Sequence, residues 1–216
     1  RDPFDNTCLD TRGKVLVRDS QEPVSYRENN HCVVDKGLWL DPYSGEKITT
    51  AKDMQIDHFV PLKNAYISGA WNWSFAKRCL YANYMSNTFH LIAVSGTENM
   101  RKSDRTPANY LPPNNQFICS YLDNWLKVKL IWNLTMLPPE TDAIKASMQK
   151  LGCQANNYIM DERVLTAERV HILDGLKACE MQEKRMLDKK AKEQQARQVE
   201  PYQSVDQSET SEITSN

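Results

Sequence analysis

The chain has 216 residues, 40% of them hydrophobic, and a formal net charge of −1 at pH 7, which suits one packed domain with an appendage. No apolar run approaches the length of a membrane span, and a charge this near zero does not suit a tight, sequence-reading nucleic-acid binder. Six cysteines, Cys8, Cys32, Cys79, Cys119, Cys153 and Cys179, are widely spaced with no Cys-x-x-Cys pair, which argues against structural zinc. Their even number favours disulfides and a secreted or periplasmic protein, and Arg1 in place of Met is read as a processed start. The pairing itself is left open by the sequence.

In chain order, residues 13–17 read as a short strand or helix edge. Residues 32–34 and 37–40 read as a hairpin on the core, and Asp41-Pro42-Tyr43-Ser44-Gly45 is a turn by composition. Residues 56–60 form a short β-branched run that Pro61 stops. A helical pattern follows to Ala70, with a second helix over 75–84. The aromatics Trp71, Trp73, Phe75, Tyr81 and Tyr84 fall at helical spacing and are read as core rather than as a platform for stacked bases. Residues 88–94 are a strand, followed by a turn at Gly96 and a polar helix start.

Residues 107–113 are a proline-bounded rigid loop. Ile118, Tyr121, Leu122, Trp125 and Val128 mark an amphipathic helix over 116–132. Pro138 and the acids after it start another helix that Gly152 stops. The composition of 161–198 is that of a long, exposed helix, read as solvated because its apolar positions thin out after Leu187, with docking to a protein partner as the alternative. Residues 200–216 are a polar, acidic tail expected to be disordered. The organisation predicted is a domain at 1–153, a helical extension at 154–199 and a tail at 200–216.

The informative stretch is 56–104. It opens Ile56-Asp57-His58-Phe59-Val60-Pro61-Leu62 and closes Leu91-Ile92-Ala93-Val94-Ser95-Gly96-Thr97-Glu98-Asn99-Met100-Arg101-Lys102-Ser103-Asp104. Two strands and a helix in this order carry His58 and His90 and bring Asn99, Arg101 and Lys102 back toward them. A histidine base, oxygen ligands for a hard cation, and positive charge for phosphate are the requirements of metal-assisted phosphodiester cleavage. Between Lys63 and Arg105 six cations face two acids, so this neighbourhood is basic although the chain is not.

With Pro107-Ala108-Asn109-Tyr110-Leu111-Pro112-Pro113 added, these motifs resemble the HNH (His-Me finger, ββα-metal) endonucleases, in the branch of the GmrSD-type restriction enzyme C-terminal domain and its small secreted nucleases. Asp10-Thr11-Arg12, residues 37–45, Ser68-Gly69-Ala70-Trp71 and residues 125–129 extend the likeness over 8–153. The resemblance implies an α+β fold with a ββα-metal core, surrounding helices and the C-terminal helical extension. It implies hydrolysis of DNA, or alternatively RNA, with little sequence preference, leaving a 5′-phosphate and a 3′-hydroxyl. The alternative is a non-catalytic nucleic-acid-binding or protein-interaction module on the same fold.

His58 is the candidate general base, since a near-neutral imidazole can take a proton from attacking water. The resemblance makes Asp57 and Asn99 ligands of one divalent cation, and oxygen ligands suit Mg²⁺ or Mn²⁺. Asp57 and His58 alternate along a strand and so point apart unless the backbone bends. His90 stands where the family carries a bracing Asn; it either braces the loop or serves as a third metal ligand, and Asn83 or Asn87 could brace instead. Arg101, Lys102 and Arg105 are the candidate phosphate contacts.

Overall fold

Asp10 starts the first helix by accepting a hydrogen bond from the Gly13 backbone at 2.7 Å, the side-chain cap expected of an Asp at this position. The structure, a computed structural model, describes residues 7–154 and 160–199. Its elements are α1 (Thr11–Asp19), β1 (Ser25–Tyr26), β2 (Val34–Leu40), β3 (Lys47–Thr50), β4 (Met54–His58), α2 (Leu62–Ile67), α3 (Phe75–Asn83), β5 (Leu91–Ser95), α4 (Gly96–Lys102), α5 (Ile118–Ile131), α6 (Pro138–Leu151) and α7 (Glu162–Val199). Residues 13–17 therefore belong to a helix. The tail expected at 200–216 lies outside the described residues.

Two antiparallel sheets result, one in the order β1-β2-β3 and one of β4 with β5. The hairpin expected within 32–40 is instead a single strand, β2, whose neighbours are β1 and β3. Gly37 suggests a turn in the sequence. In the fold it is the mid-strand point where a Cβ would lie 2.7 Å from Ser20 Oγ and the Trp39 ring. The turn predicted at 41–45 does connect β2 to β3, with Gly45 at φ 79°.

β4 and β5 pair from Met54↔Ser95 to His58↔Leu91. The other edge of β5 is covered by side chains of α1: Arg18 donates to the Leu91 carbonyl at 2.5 Å, and the Ala93 N–H reaches Asp19 at 2.9 Å. An edge closed in this way offers no free ladder to another chain. β5 then enters α4 without the turn expected at Gly96, because Ser95 itself caps the helix by accepting from Glu98 N at 3.2 Å.

β5 is buried on both faces. Leu91 and Ala93 join Val15, Leu16, Trp39 and Met54 in a smaller core, while Ile92 and Val94 join the larger one around Tyr81, Tyr121, Trp125 and Trp132. Tyr81 and Tyr84 are core as predicted, whereas Trp71 is exposed. α7 is less solvated than its composition suggests, since Ile172 and Cys179 lie in the larger core. Disulfides join Cys8 to Cys32, Cys79 to Cys179 and Cys119 to Cys153. The second ties α7 to α3, so the extension shares the core of the residues before it.

Candidate active site

β4 ends in Asp57 and His58, whose side chains diverge as strand alternation demands. Asp57 turns into the protein. Its Oδ1 receives Lys102 Nζ at 2.8 Å and its Oδ2 receives the Tyr43 hydroxyl at 2.6 Å. Lys102 has no solvent exposure and also donates to the His58 carbonyl, at 3.0 Å. Burial pushes the Lys102 amine down and the Asp57 charge pulls it back up. Lys102 therefore clamps the end of β4 from α4 and faces no solvent, so the phosphate contact expected of it is not what its placement supports.

His58 turns the other way, toward the end of α3, where its Nε2 lies 3.1 Å from the Ala82 carbonyl. A carbonyl only accepts, so the proton sits on Nε2 and Nδ1 carries the lone pair. Ala82 is in the last turn of α3, where carbonyls have no partner within the helix, and this orphan acceptor sets the tautomer. The ring lies parallel to Tyr81, with centroids 6.3 Å apart. Burial lowers the His58 pKa, against opposing effects of the Ala82 bond and of Asp57.

The preceding carbonyl, Tyr81, holds the second histidine: His90 Nε2 lies 2.7 Å from it. His90 is enclosed by Tyr81, Tyr84 and Trp132, and burial pushes its pKa down to about 3, helped by His58. It is a neutral core imidazole, and the third-ligand role considered for it has no support in this geometry. The bracing falls to Asn87, whose Oδ1 accepts from the backbones of Phe89 at 3.2 Å and His90 at 2.8 Å. Asn83 instead accepts from Thr11 Oγ1 at 2.7 Å.

Between the end of β4 and α4 opens a cleft of about 410 Å³. Gln55, Asp57, His58, Leu62, Asn99 and Met100 line it. Asn99 Nδ2 donates to Gln55 Oε1 at 2.7 Å, which leaves Asn99 Oδ1 as an oxygen donor with no partner among the described residues. No group of three or more His, Cys, Asp or Glu among those residues is placed to hold a metal, and of Asp57, Asn99 and His90 only the first two line this cleft. Arg101 and Arg105 remain exposed at the end of α4, Arg101 beside Glu98 at 2.8 Å.

Three residues beside the histidines were not singled out in the sequence, although Tyr43 lies in the stretch 37–45 that shares the family likeness. Tyr43 sat in a segment that reads as a turn, and Gln55 precedes the motif without belonging to it. Glu168 is remote in sequence, yet it accepts from Tyr84 and Asn87 behind the two histidines.

The molecule is thus a disulfide-stapled α+β protein of an oxidising compartment, with a strand–strand–helix unit that presents one oriented histidine and one asparagine to an open cleft. Its sequence matches the pattern of the C-terminal domain of GmrSD restriction endonucleases over residues 10–146, and the chain belongs to that family. It is also 37% identical over 142 residues, 66% of this chain and 67% of the relative, to a protein of Arthroderma benhamiae described as an uncharacterized secreted protein. No solved structure matches it.

Proposed function

We propose that this protein is an exported endonuclease that hydrolyses phosphodiester bonds of DNA, or of RNA, with His58 as general base. The observation that carries the reading is the His58 ring: its Nε2–H is fixed on Ala82, so Nδ1 is left to take a proton from water in the cleft. Membership of an endonuclease-related family supports the same chemistry. A neutral imidazole is the form a base requires, and burial favours that form.

The donors fit a hard divalent cation, Mg²⁺ or Mn²⁺, that keeps most of its water shell. Asn99 Oδ1 would hold it directly. Asp57 lines the same cleft while its carboxylate is held inward by Lys102 and Tyr43, and each of its oxygens keeps a further lone pair that a cation at the strand end would draw on. When bound, such a cation supplies positive charge to a phosphate oxygen and to the departing 3′ oxygen. Lys102 holds the Asp57 carboxylate and the His58 backbone in fixed relation, and Arg101 and Arg105 offer charge to the flanking phosphates. The absence of a recognition helix or zinc finger in the sequence favours weak base preference.

The test is a time course on supercoiled plasmid with Mg²⁺, Mn²⁺ or EDTA, under non-reducing conditions, with His58→Ala beside the wild type. Metal-dependent nicking by the wild type alone is the expected result. Binding without cleavage of either DNA or RNA under any of these ions would replace the enzyme with a non-catalytic nucleic-acid-binding module.

A further inference from the structure

The family match ends at residue 146, and α7 begins at Glu162, so the nuclease reading assigns α7 no task. Its inner face nevertheless packs on α3, the helix whose last turn holds both histidine rings. Cys179 is bonded to Cys79 of α3. Gly175 brings the backbone so close that a Cβ there would lie 2.6 Å from Leu80 Cδ1.

Glu168 is the polar contact at this junction. It is buried at 8% exposure, and its Oε2 accepts from the Tyr84 hydroxyl at 2.6 Å and from Asn87 Nδ2 at 3.0 Å. The same hydroxyl lies 3.1 Å from the Glu168 carbonyl. Both partners are neutral, and among the described ion pairs Glu168 has no cation. A buried carboxylate without a cation is costly unless its acceptors are well used; here they fix two residues of one short segment. Tyr84 follows the turn that presents Tyr81 O to His90 and Ala82 O to His58. Asn87 in turn holds the His90 backbone, and the His90 carbonyl accepts from Phe59 N at 3.0 Å, one residue past His58. Segment 81–90 thus touches the His58 region from both sides, and Glu168 holds that segment from behind.

We propose that Glu168 is a positioning residue for His58, and that α7, stapled by Cys79–Cys179, is part of the catalytic scaffold. This rests on the nuclease reading for its kinetic consequence but not for its structural one. A base displaced by a fraction of an ångström loses rate without losing substrate affinity.

The full-length chain with its disulfides intact is compared as wild type, Glu168→Ala and Glu168→Gln. Plasmid cleavage in Mg²⁺ gives kcat and KM, and ¹⁵N spectra report the ring nitrogens of His58 and His90. Glu168→Ala should lower kcat about ten-fold with KM unchanged, and should shift the ring signals of both histidines. Glu168→Gln keeps an acceptor oxygen for Tyr84 and Asn87, and should restore kcat to within about three-fold of wild type and return the signals. A folded Glu168→Ala protein with unchanged ring signals would overturn the proposal, as would unchanged kcat in an active enzyme. A wild type that cuts nothing defeats the nuclease reading alone, because the ring signals still decide whether Glu168 sets the histidines.

Discussion

Two buried lysine–carboxylate pairs of similar chemistry sit in different parts of the molecule. Lys102 meets Asp57 at 2.8 Å under the cleft, and Lys129 meets Glu140 at 3.3 Å between α5 and α6. In both, burial pushes the amine down and the acid pulls it back. Lys129 donates further to Ser68 Oγ at 2.7 Å and to the Thr135 carbonyl at 3.0 Å, and Glu140 also accepts from Trp125 and from Leu137 N. That pair joins a helix start to a loop and does not line the cleft beside His58. Lys102 instead grips the backbone of His58. A buried ion pair is therefore no sign of catalysis in itself; what distinguishes the first is the oriented histidine it is attached to.

The largest expected effect separates the histidine from both pairs. His58→Ala should reduce plasmid cleavage by roughly 10²- to 10⁴-fold, the range for a lost general base, while the lost Ala82 hydrogen bond costs about 1 kcal/mol in urea unfolding. Next come Lys102→Met and Lys129→Met. Each leaves a carboxylate buried without its partner and should cost about 3–5 kcal/mol in urea unfolding. Only Lys102→Met should also lower the activity of the remaining folded protein; equal specific activity in the two variants would erase the distinction drawn between the pairs. Asn99→Ala should raise the Mg²⁺ concentration for half-maximal cleavage by about ten-fold, the scale of one lost metal-site oxygen contact, with little change in stability.

The smallest effect is in pH. A general base at His58, as proposed, works in its neutral form, so activity should rise with pH through the folded pKa and be flat above it. Burial places that pKa below the ordinary 6.5, so cleavage should persist on acidification past pH 6.5 and fall only below it. A pH profile of kcat/KM with its acid limb at or above 6.5 would contradict the burial of the ring.

Much of the site was legible because it lies in one stretch of sequence. The Asp57-His58 pair, the apolar run 91–94 and Asn99 all fall within 54–102, where the strand-forming runs and the Ser95 helix cap are local signals, although the pairing of β4 with β5 joins residues far apart in the chain. Helices α3, α5 and α6 were legible for the same reason: their apolar spacing and the prolines of α6 act within a few residues. The hairpin misplaced at 32–40 shows the converse, since Gly37 answers to Ser20 and Trp39 packed against it and not to a turn.

The sequence by itself determined which side chains are candidates for the chemistry: a histidine beside an aspartate and an asparagine on the following helix, with cysteines enough for three bridges. Tertiary structure decided which of them are free to act. It closed Asp57 on Lys102 and Tyr43, walled His90 into an aromatic core, fixed the His58 tautomer on a carbonyl of α3, and brought Glu168 behind that helix from 110 residues beyond His58. Burial and hydrogen-bond geometry are properties of contacts between distant segments, and a one-dimensional pattern of residue types does not contain them.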